Sequence, residues 1–414
     1  MFFIADLHIH SKYSRATSKN MDLDNLDKWA KIKGIKVLGT GDFTHPEWFR
    51  SLKERLIPAE SGLFKLKNNS GTRFLLTSEI SCIYSKNNQV RKVHILIFSP
   101  SFDIVEKINT QLSWIGNLKS DGRPILGLDA KELAKIVLDS SKDCFIIPAH
   151  CMTPWFAVFG SKSGFDSLEE CFEEYSQNIY SMETGLSADP EMLWRIPDGR
   201  RVSLISNSDA HSPAKIGREA NVFNSELSYS AITEAIKQKN KEKFLYTIEF
   251  FPQEGKYHFD GHRNCDLRLS PKESKKYNNI CPNCGKPLTL GVLNRVEQLA
   301  DKESGFKPER AIPFKSLIPL EEIIAEAVNQ NTGTKAVSCF FQNMIEKFGS
   351  EFEILLNTSK KEIENFFPSE IAEAIIRVRE GRVRVEPGYD GVFGKIRIFS
   401  QEEKKDLPRQ KPLF

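Results

Sequence analysis

Along the first 250 residues, short apolar runs recur, and most of them end in a histidine or a carboxylate. Phe2-Phe3-Ile4-Ala5 leads into Asp6-Leu7-His8-Ile9-His10, and residues 35–38 lead to Gly41-Asp42. Residues 74–76 lead to Glu79, 145–147 to His150, 179–182 to Glu183, and 202–205 to Asp209-Ala210-His211. Runs this short, rich in Ile, Val and Phe, predict buried strands. Amphipathic stretches at 24–33, 130–138 and 228–237 predict helices between them, the last with Ser228 or Ser230 as N-cap. Strands alternating with helices predict a parallel α/β sheet or barrel. Such barrels place their chemistry at the carboxyl ends of the strands, where most of these histidines and acids fall. The run at 93–98 is the exception: it carries His94 near its start and follows Glu79 too closely for a helical crossover.

The pattern changes near Phe251-Pro252. Residues 253–290 are polar and basic and hold a cysteine cluster, and from 291 the periodicity is helical, at 292–300, 320–328, 335–348 and 369–379. Residues 354–379 read as short helices joined by a turn at Phe367-Pro368, either a helix-hairpin-helix-like DNA reader or ordinary packing. A hairpin is expected around Pro387-Gly388-Tyr389-Asp390-Gly391, and the charged last dozen residues are expected to fray. The predicted parts are therefore 1–252, 253–290 and 291–414.

Composition narrows the class. With 414 residues, 40% of them hydrophobic, the chain can bury a sizeable core. No apolar run is long enough to predict a membrane span, and charge enters too early for a signal peptide, so a cytoplasmic location is expected. A net charge of +3 permits nucleic acid as a partner without demanding it. Cys82, Cys144, Cys151, Cys171 and Cys339 sit in apolar contexts and read as small buried hydrophobes.

The histidines carry the chemistry. His8 and His10, two apart on a strand, point to the same face and can bite one metal. Glu79 and Asp209 can neutralise and bridge divalent ions beside them, and mixed imidazole and carboxylate ligands suit sites left partly open to water. Glu183 reads as a hydrogen-bonding partner of that set or as a further ligand, and His45 as a weaker candidate. In the polar segment, His262-x2-Cys265 and Cys281-x2-Cys284 are separated by 15 residues, the spacing of a structural zinc site. His258 is a nearby alternative. Lys272, Lys275, Lys276 and Lys286 could meet phosphates or simply be solvated.

Asp6-Leu7-His8-Ile9-His10-Ser11, Gly39-Thr40-Gly41-Asp42, Glu79, His94, His150 and Ser208-Asp209-Ala210-His211-Ser212 resemble the successive motifs of the PHP superfamily. The resemblance implies a distorted (β/α)7 barrel and phosphoester hydrolysis by two or three divalent metals (Zn, Mn or Mg). It implies ligands among His8, His10, Asp42, Glu79, His94, His150, Asp209 and His211. Phe43 stands where many members have a histidine after the aspartate, and 12–16 lack another, which favours two metals. Across nearly its whole length the chain also resembles the endonuclease Q family. The added motifs are Pro148-Ala149-His150-x3-Pro154-Trp155, Ser206 to Pro213, Gly255-Lys256-Tyr257-His258, the cysteine module and the helical tail.

That family implies a DNA repair endonuclease cutting 5′ to uracil, hypoxanthine, xanthine or abasic sites with a metal-activated hydroxide. Asp209, His8, His10 and Glu79 would be catalytic. Damaged DNA would be the partner, and no sliding-clamp peptide is evident. Trp155, with Phe156, and Lys215 and Arg218 are candidate DNA contacts. Two other readings compete. A histidinol-phosphatase-like enzyme would leave the zinc module and helical tail without a use, and a binding protein with a decayed barrel would lack ligands that are here present.

Overall fold

Seven strands form the barrel of the computed structural model, which describes residues 1–67, 71–400 and 402–403: Phe2–Asp6, Val37–Gly39, Arg73–Lys86, Gln89–Ser99, Phe145–Pro148, Ser181–Glu183 and Ser203–Ile205. The first three are parallel neighbours. Gln89–Ser99 runs antiparallel to the strands on both of its sides. Its short link explains why: Asn87 and Asn88 both take positive φ, 53° and 59°, the geometry of a two-residue hairpin turn. The last two strands pair in parallel. Backbone bonds from Cys151 N to Glu183 O and from His10 N to Ala210 O, each 3.0 Å, join them to the rest.

Alternation along the strands sorts the side chains. Phe3, Ala5 and Leu7 share one apolar cluster with Val37, Leu75, Leu96, Ile147 and Ile205 from successive strands. Asp6, His8 and His10, at the alternate positions, are turned away from it. The expected helices are present as Leu23–Lys33, Ala130–Ser140 and Tyr229–Lys237. Of the two candidate caps for the third, Ser228 does the work, accepting from Ala231 N.

Three strands have no counterpart in the apolar pattern. Ala220–Asn224 lies antiparallel to Phe2–Asp6, and Phe244–Glu249 antiparallel to Ala220–Asn224. Phe314–Ser316, from the C-terminal half, then adds in parallel to Phe244–Glu249. The helices Leu320–Ala327, Lys335–Phe348, Glu351–Leu356, Lys360–Glu364 and Ser369–Arg379 follow. A buried ion pair of 2.6 Å between Lys33 and Glu351 ties them to the first barrel helix. Among them, the Arg379 guanidinium donates to the carbonyls of Ile354, Leu355 and Thr358, which is a packing role. Cys339 is a correction: it is exposed, on the helix whose buried positions are Val337 and Met344. The other four cysteines read as core are buried.

The terminal hairpin pairs Arg384–Glu386 with Lys395–Arg397 and lies against the cysteine segment. Phe259 N donates to Gly388 O (2.9 Å), Arg263 N to Asp390 (2.7 Å) and Tyr389 Oη to Asp266 (2.6 Å). Residues 404–414, within the stretch expected to fray, lie outside the described residues. No helix among the described residues is long and apolar enough to cross a membrane.

Two carboxyl groups are buried beneath the barrel wall. Glu249 accepts from Thr247, Thr184 and Ser206 hydroxyls, and Glu219 accepts from Phe250 N at 3.2 Å. Burial pushes Glu249 up to about 8, and burial together with Glu249 and Glu183 lifts Glu219 well above the carboxylate range. In the unfolded chain a glutamate ionises near 4.5. As pH rises from there toward about 8, the unfolded chain sheds a proton that folded Glu249 keeps, so stability falls across that window. Glu249→Gln removes this penalty. Its melting temperature should exceed the wild type's at pH 8 by a few degrees, roughly 2–4 °C per kcal/mol, and the gap should close toward pH 5. Thermal melts across pH test this, and a pH-independent difference would contradict it.

Candidate active site

Six side chains from five segments converge at one end of the barrel. His8 and His10 follow the first strand, Glu79 and His94 lie within the long hairpin, and His150 and Asp209 follow the fifth and seventh strands. Glu79 is at their centre. Its Oε2 lies 3.6 Å from His8 Nε2 and 3.2 Å from His10 Nε2. Asp209 Oδ1 completes that group, 3.6 Å and 3.0 Å from the same two nitrogens. The other oxygen, Oε1, lies 2.8 Å from His94 Nδ1 and 3.0 Å from His150 Nε2. One carboxylate thus divides its oxygens between two sets of nitrogen donors.

The buried His8 Nε2, His10 Nε2 and Asp209 Oδ1 lack a hydrogen-bond partner. Buried polar atoms without a hydrogen-bond partner are rare in a folded interior, and here three of them point into one space. The candidate ligand atoms of His8, His10, Glu79 and Asp209, and separately of Glu79, His94 and His150, lie within 4.8 Å of one another. Both sets fit divalent metal ions.

A further layer fixes the ligands. His8 Nδ1 lies 3.0 Å from both oxygens of Glu183, which also accepts from His150 N (2.9 Å) and Asn207 Nδ2 (2.9 Å). His10 Nδ1 lies 3.0 Å from Asp42 Oδ1. The other oxygen of Asp42 accepts from Ser11 N, Ser11 Oγ and Ser14 Oγ at 2.6, 2.7 and 2.9 Å. Carboxylates of this kind fix the ring and raise its basicity. Asp6 pins the Asp209 loop by accepting from Ser208 N, Ser208 Oγ and Gly217 N. Asp42, His150 and Asp209 all hold positive φ, 49°, 31° and 47°. Strain of this sort persists only where the surroundings over-determine it. Gly185 helps: a Cβ there would collide with His150.

Charge is concentrated in this space. Burial opposes protonation of His8 and His10, but Glu183, Glu79 and Asp209 around the first, and Asp42, Asp209 and Glu79 around the second, raise both well above the imidazole range. Burial likewise opposes ionisation of Glu79, yet His94, Arg123 and His8 hold it well below the carboxylate range. Asp209 is depressed in the same way by His8 and His10. Burial lowers His94 to about 4.

The remaining candidates fall elsewhere. Asp42, expected among the ligands, sits behind His10 with both oxygens engaged. His211 is on the rim, its ring 4.6 Å from that of His10 and its Nδ1 2.8 Å from Asp209 O. His45 stacks on Tyr13, outside both sets. Trp155 is half exposed just past His150, with Lys92 5.2 Å from its ring, and Phe156 packs on His94 at 4.7 Å. Lys215 and Arg218 line a cavity of about 630 Å³ between the first helix and the C-terminal helices, with Lys215 3.4 Å from Glu322, and none of the candidate ligands lines it. The sequence pattern missed Arg123, whose Nη1 lies 3.0 Å from Glu79 Oε2, and the pinning role of Asp6. Nothing in the loop Asp121-Gly122-Arg123-Pro124 distinguishes that arginine before folding.

Far from this centre, His262, Cys265, Cys281 and Cys284 also bring their ligand atoms within 4.8 Å of one another. Cys284 Sγ is 3.5 Å from His262 Nδ1. The turn Cys281–Gly285 closes with Gly285 at φ 71°, and Asp260 anchors the segment through Ser274, Gly291 N and Asn294. Among the described residues its own apolar cluster buries Leu269, Cys281 and Leu288, with Cys265 and Leu267 packed against them, too small to hold it together alone. His258 lies outside the set, buried and lowered to about 4 by that burial.

Known proteins share this fold. The structure of the lesion-specific endonuclease PfuEndoQ from Pyrococcus furiosus matches with a TM-score of 0.86 at 32% identity, over 99% of this chain and 100% of that one. An endonuclease Q complex with a 27-mer duplex carrying an abasic lesion matches at 0.84 and 32% identity, over 100% of both chains. The uncharacterized protein MJ0043 of Methanocaldococcus jannaschii is 36% identical over 264 residues, 61% of this chain, and the chain covers 32% of that curated relative's length. A family model described as the MJ0043 C-terminal domain matches residues 319–382. With identity above 30% sustained over the full length of the endonuclease Q structures, the chain belongs to the endonuclease Q family.

Proposed function

We propose that this protein is a DNA repair endonuclease that hydrolyses the phosphodiester 5′ to deaminated bases or abasic sites. One observation carries the reading: Glu79 offers its two oxygens to two separate histidine sets in a chain similar throughout to an endonuclease bound to abasic DNA. The barrel, 1–252, would hold the chemistry. Parts 253–290 and 291–414 would extend the surface that meets the duplex, and the work would take place in the cytoplasm.

His8, His10, Glu79 and Asp209 would hold one divalent ion, and Glu79, His94 and His150 a second, with Zn, Mn or Mg the candidates. Ions bound there supply Lewis acidity to the phosphoryl oxygens and lower the pKa of water. Glu183 and Asp42 keep the His8 and His10 rings turned so that each Nε2 faces inward. Asp209, 28% exposed and held ionised, accepts a hydrogen bond from an attacking water and aligns it. Its depressed pKa makes orientation a better role for it than proton abstraction. Trp155, at the rim, offers a face on which an unstacked base can rest. His262, Cys265, Cys281 and Cys284 would bind one structural zinc.

Purified protein with Mg²⁺ or Mn²⁺ should nick end-labelled duplexes bearing one deoxyuridine, deoxyinosine or abasic site on the 5′ side of the lesion. Undamaged duplex should stay intact, and Asp209→Ala should lose about 10³-fold or more in rate. Turnover of a small phosphate monoester with no DNA cleavage would instead favour the phosphatase. For the cysteine site, Cys284→Ser should lower the zinc content by about one ion per chain and reduce melting temperature while leaving the barrel ions bound. Elemental analysis reads this directly, and unchanged zinc would refute the assignment. Protons and metal compete for His8 and His10, whose pKa values are raised without metal. Metal affinity of the barrel should therefore climb with pH, with protons released on binding. Calorimetry in buffers of different ionisation enthalpy tests this, and buffer-independent heats would contradict it.

A further inference from the structure

The open side of the cluster is formed by Asp209, His211 and Arg123, whose side chains are 28%, 33% and 27% exposed. Arg123 stands out because nothing in the ligand set needs it. Glu79, Asp209, Glu183 and Asp42 bring four negative charges to the site, which a pair of divalent ions already balances. A guanidinium added to such a site is surplus positive charge, and its natural complement is an anion that comes with the substrate.

The placement of Arg123 is fixed from both sides. Asp121 accepts from the backbone N of Arg15 and of Arg123 at 3.2 and 3.1 Å. Gly122 N donates to Tyr13 O at 3.0 Å, and Thr44 Oγ1 to Gly122 O at 3.3 Å. Gly122 rests directly on Asp42 and Ser14, where a Cβ would collide with both. Just beyond, Ser81 N donates to Pro124 O, and Ile125–Leu126 pairs with the strand that carries Glu79. A loop this heavily tethered holds the guanidinium against Glu79 with one donor, Nη1. Arginine has five donors in a rigid fork suited to phosphate oxygens.

We propose that Arg123 binds a non-bridging oxygen of the scissile phosphodiester, with Glu79 as the anchor that orients the fork. The inference rests on the endonuclease reading and adds a substrate-contacting residue to it. A purely structural ion pair with Glu79 is the alternative, and it would act through metal retention.

The test uses the full-length protein with Arg123→Ala and Arg123→Lys, and lesion duplexes whose scissile linkage is a single phosphorothioate diastereomer. The wild type should cut one diastereomer more slowly than the plain duplex beyond any metal-rescuable effect. Arg123→Ala should lose that discrimination and fall about 10²-fold in kcat/KM, with metal content unchanged. Added guanidinium should restore part of the rate, and Arg123→Lys should retain charge but little of the stereochemical preference. In chelator, fluorescence anisotropy should show about tenfold weaker duplex binding by Arg123→Ala. An unchanged sulfur preference and unchanged binding in both variants would overturn the proposal, and so would activity loss that tracks metal loss. A wild type that nicks no lesion duplex would defeat the underlying endonuclease reading instead.

Discussion

The Glu79 carboxylate, buried among four imidazoles and one guanidinium, is the interaction on which the site depends. Stripping water from a carboxylate is costly unless several partners replace it. Here the partners come from the first, fourth and fifth strands and from the loop that carries Arg123. Its own strand forms the long hairpin with Gln89–Ser99, whose reversed direction sets His94 opposite Ser81, diagonally within reach of Glu79. The barrel's distortion and its chemistry are thus one feature.

Around that carboxylate the fold spends its polar groups on orientation. Glu183 serves His8, His150 and Asn207 at once, and Asn207 in turn accepts from Leu7 N and Asn221 at the seam between the last strand and the first. A single network therefore joins the barrel's closure to the aim of its ligands. The left-handed conformations of Asp42, His150 and Asp209 belong to the same economy: each turn leaves its strand abruptly, so that the side chain lands inside the barrel mouth.

Much of this was legible before folding because the candidate ligands follow simple periodicities. His8-x-His10 needs only the two-residue repeat of a strand, and the strand-end positions of His150 and Asp209 follow from apolar runs. The sequence could not rank carboxylates, however. Asp42 and Glu79 both follow apolar runs, and only the packing of Ser11 and Ser14 around Asp42 turns it into a support for His10. Arg123 was hidden because a loop's tethering is three-dimensional. The strands at Ala220–Asn224 and Phe244–Glu249 were hidden because buried asparagine and threonine interrupt their apolar pattern. Cys339 misled because an apolar neighbourhood in sequence does not decide which helix face is covered.

The strand Phe314–Ser316 has a meaning beyond connectivity. It occupies the outer side of Phe244–Glu249, whose backbone donors and acceptors would otherwise face solvent. Sheet edges left unpaired are templates for the wrong neighbour, another copy included. The C-terminal half is thus a guard against self-association as well as a helical appendage. A barrel without that strand would be prone to polymerise through its bared margin.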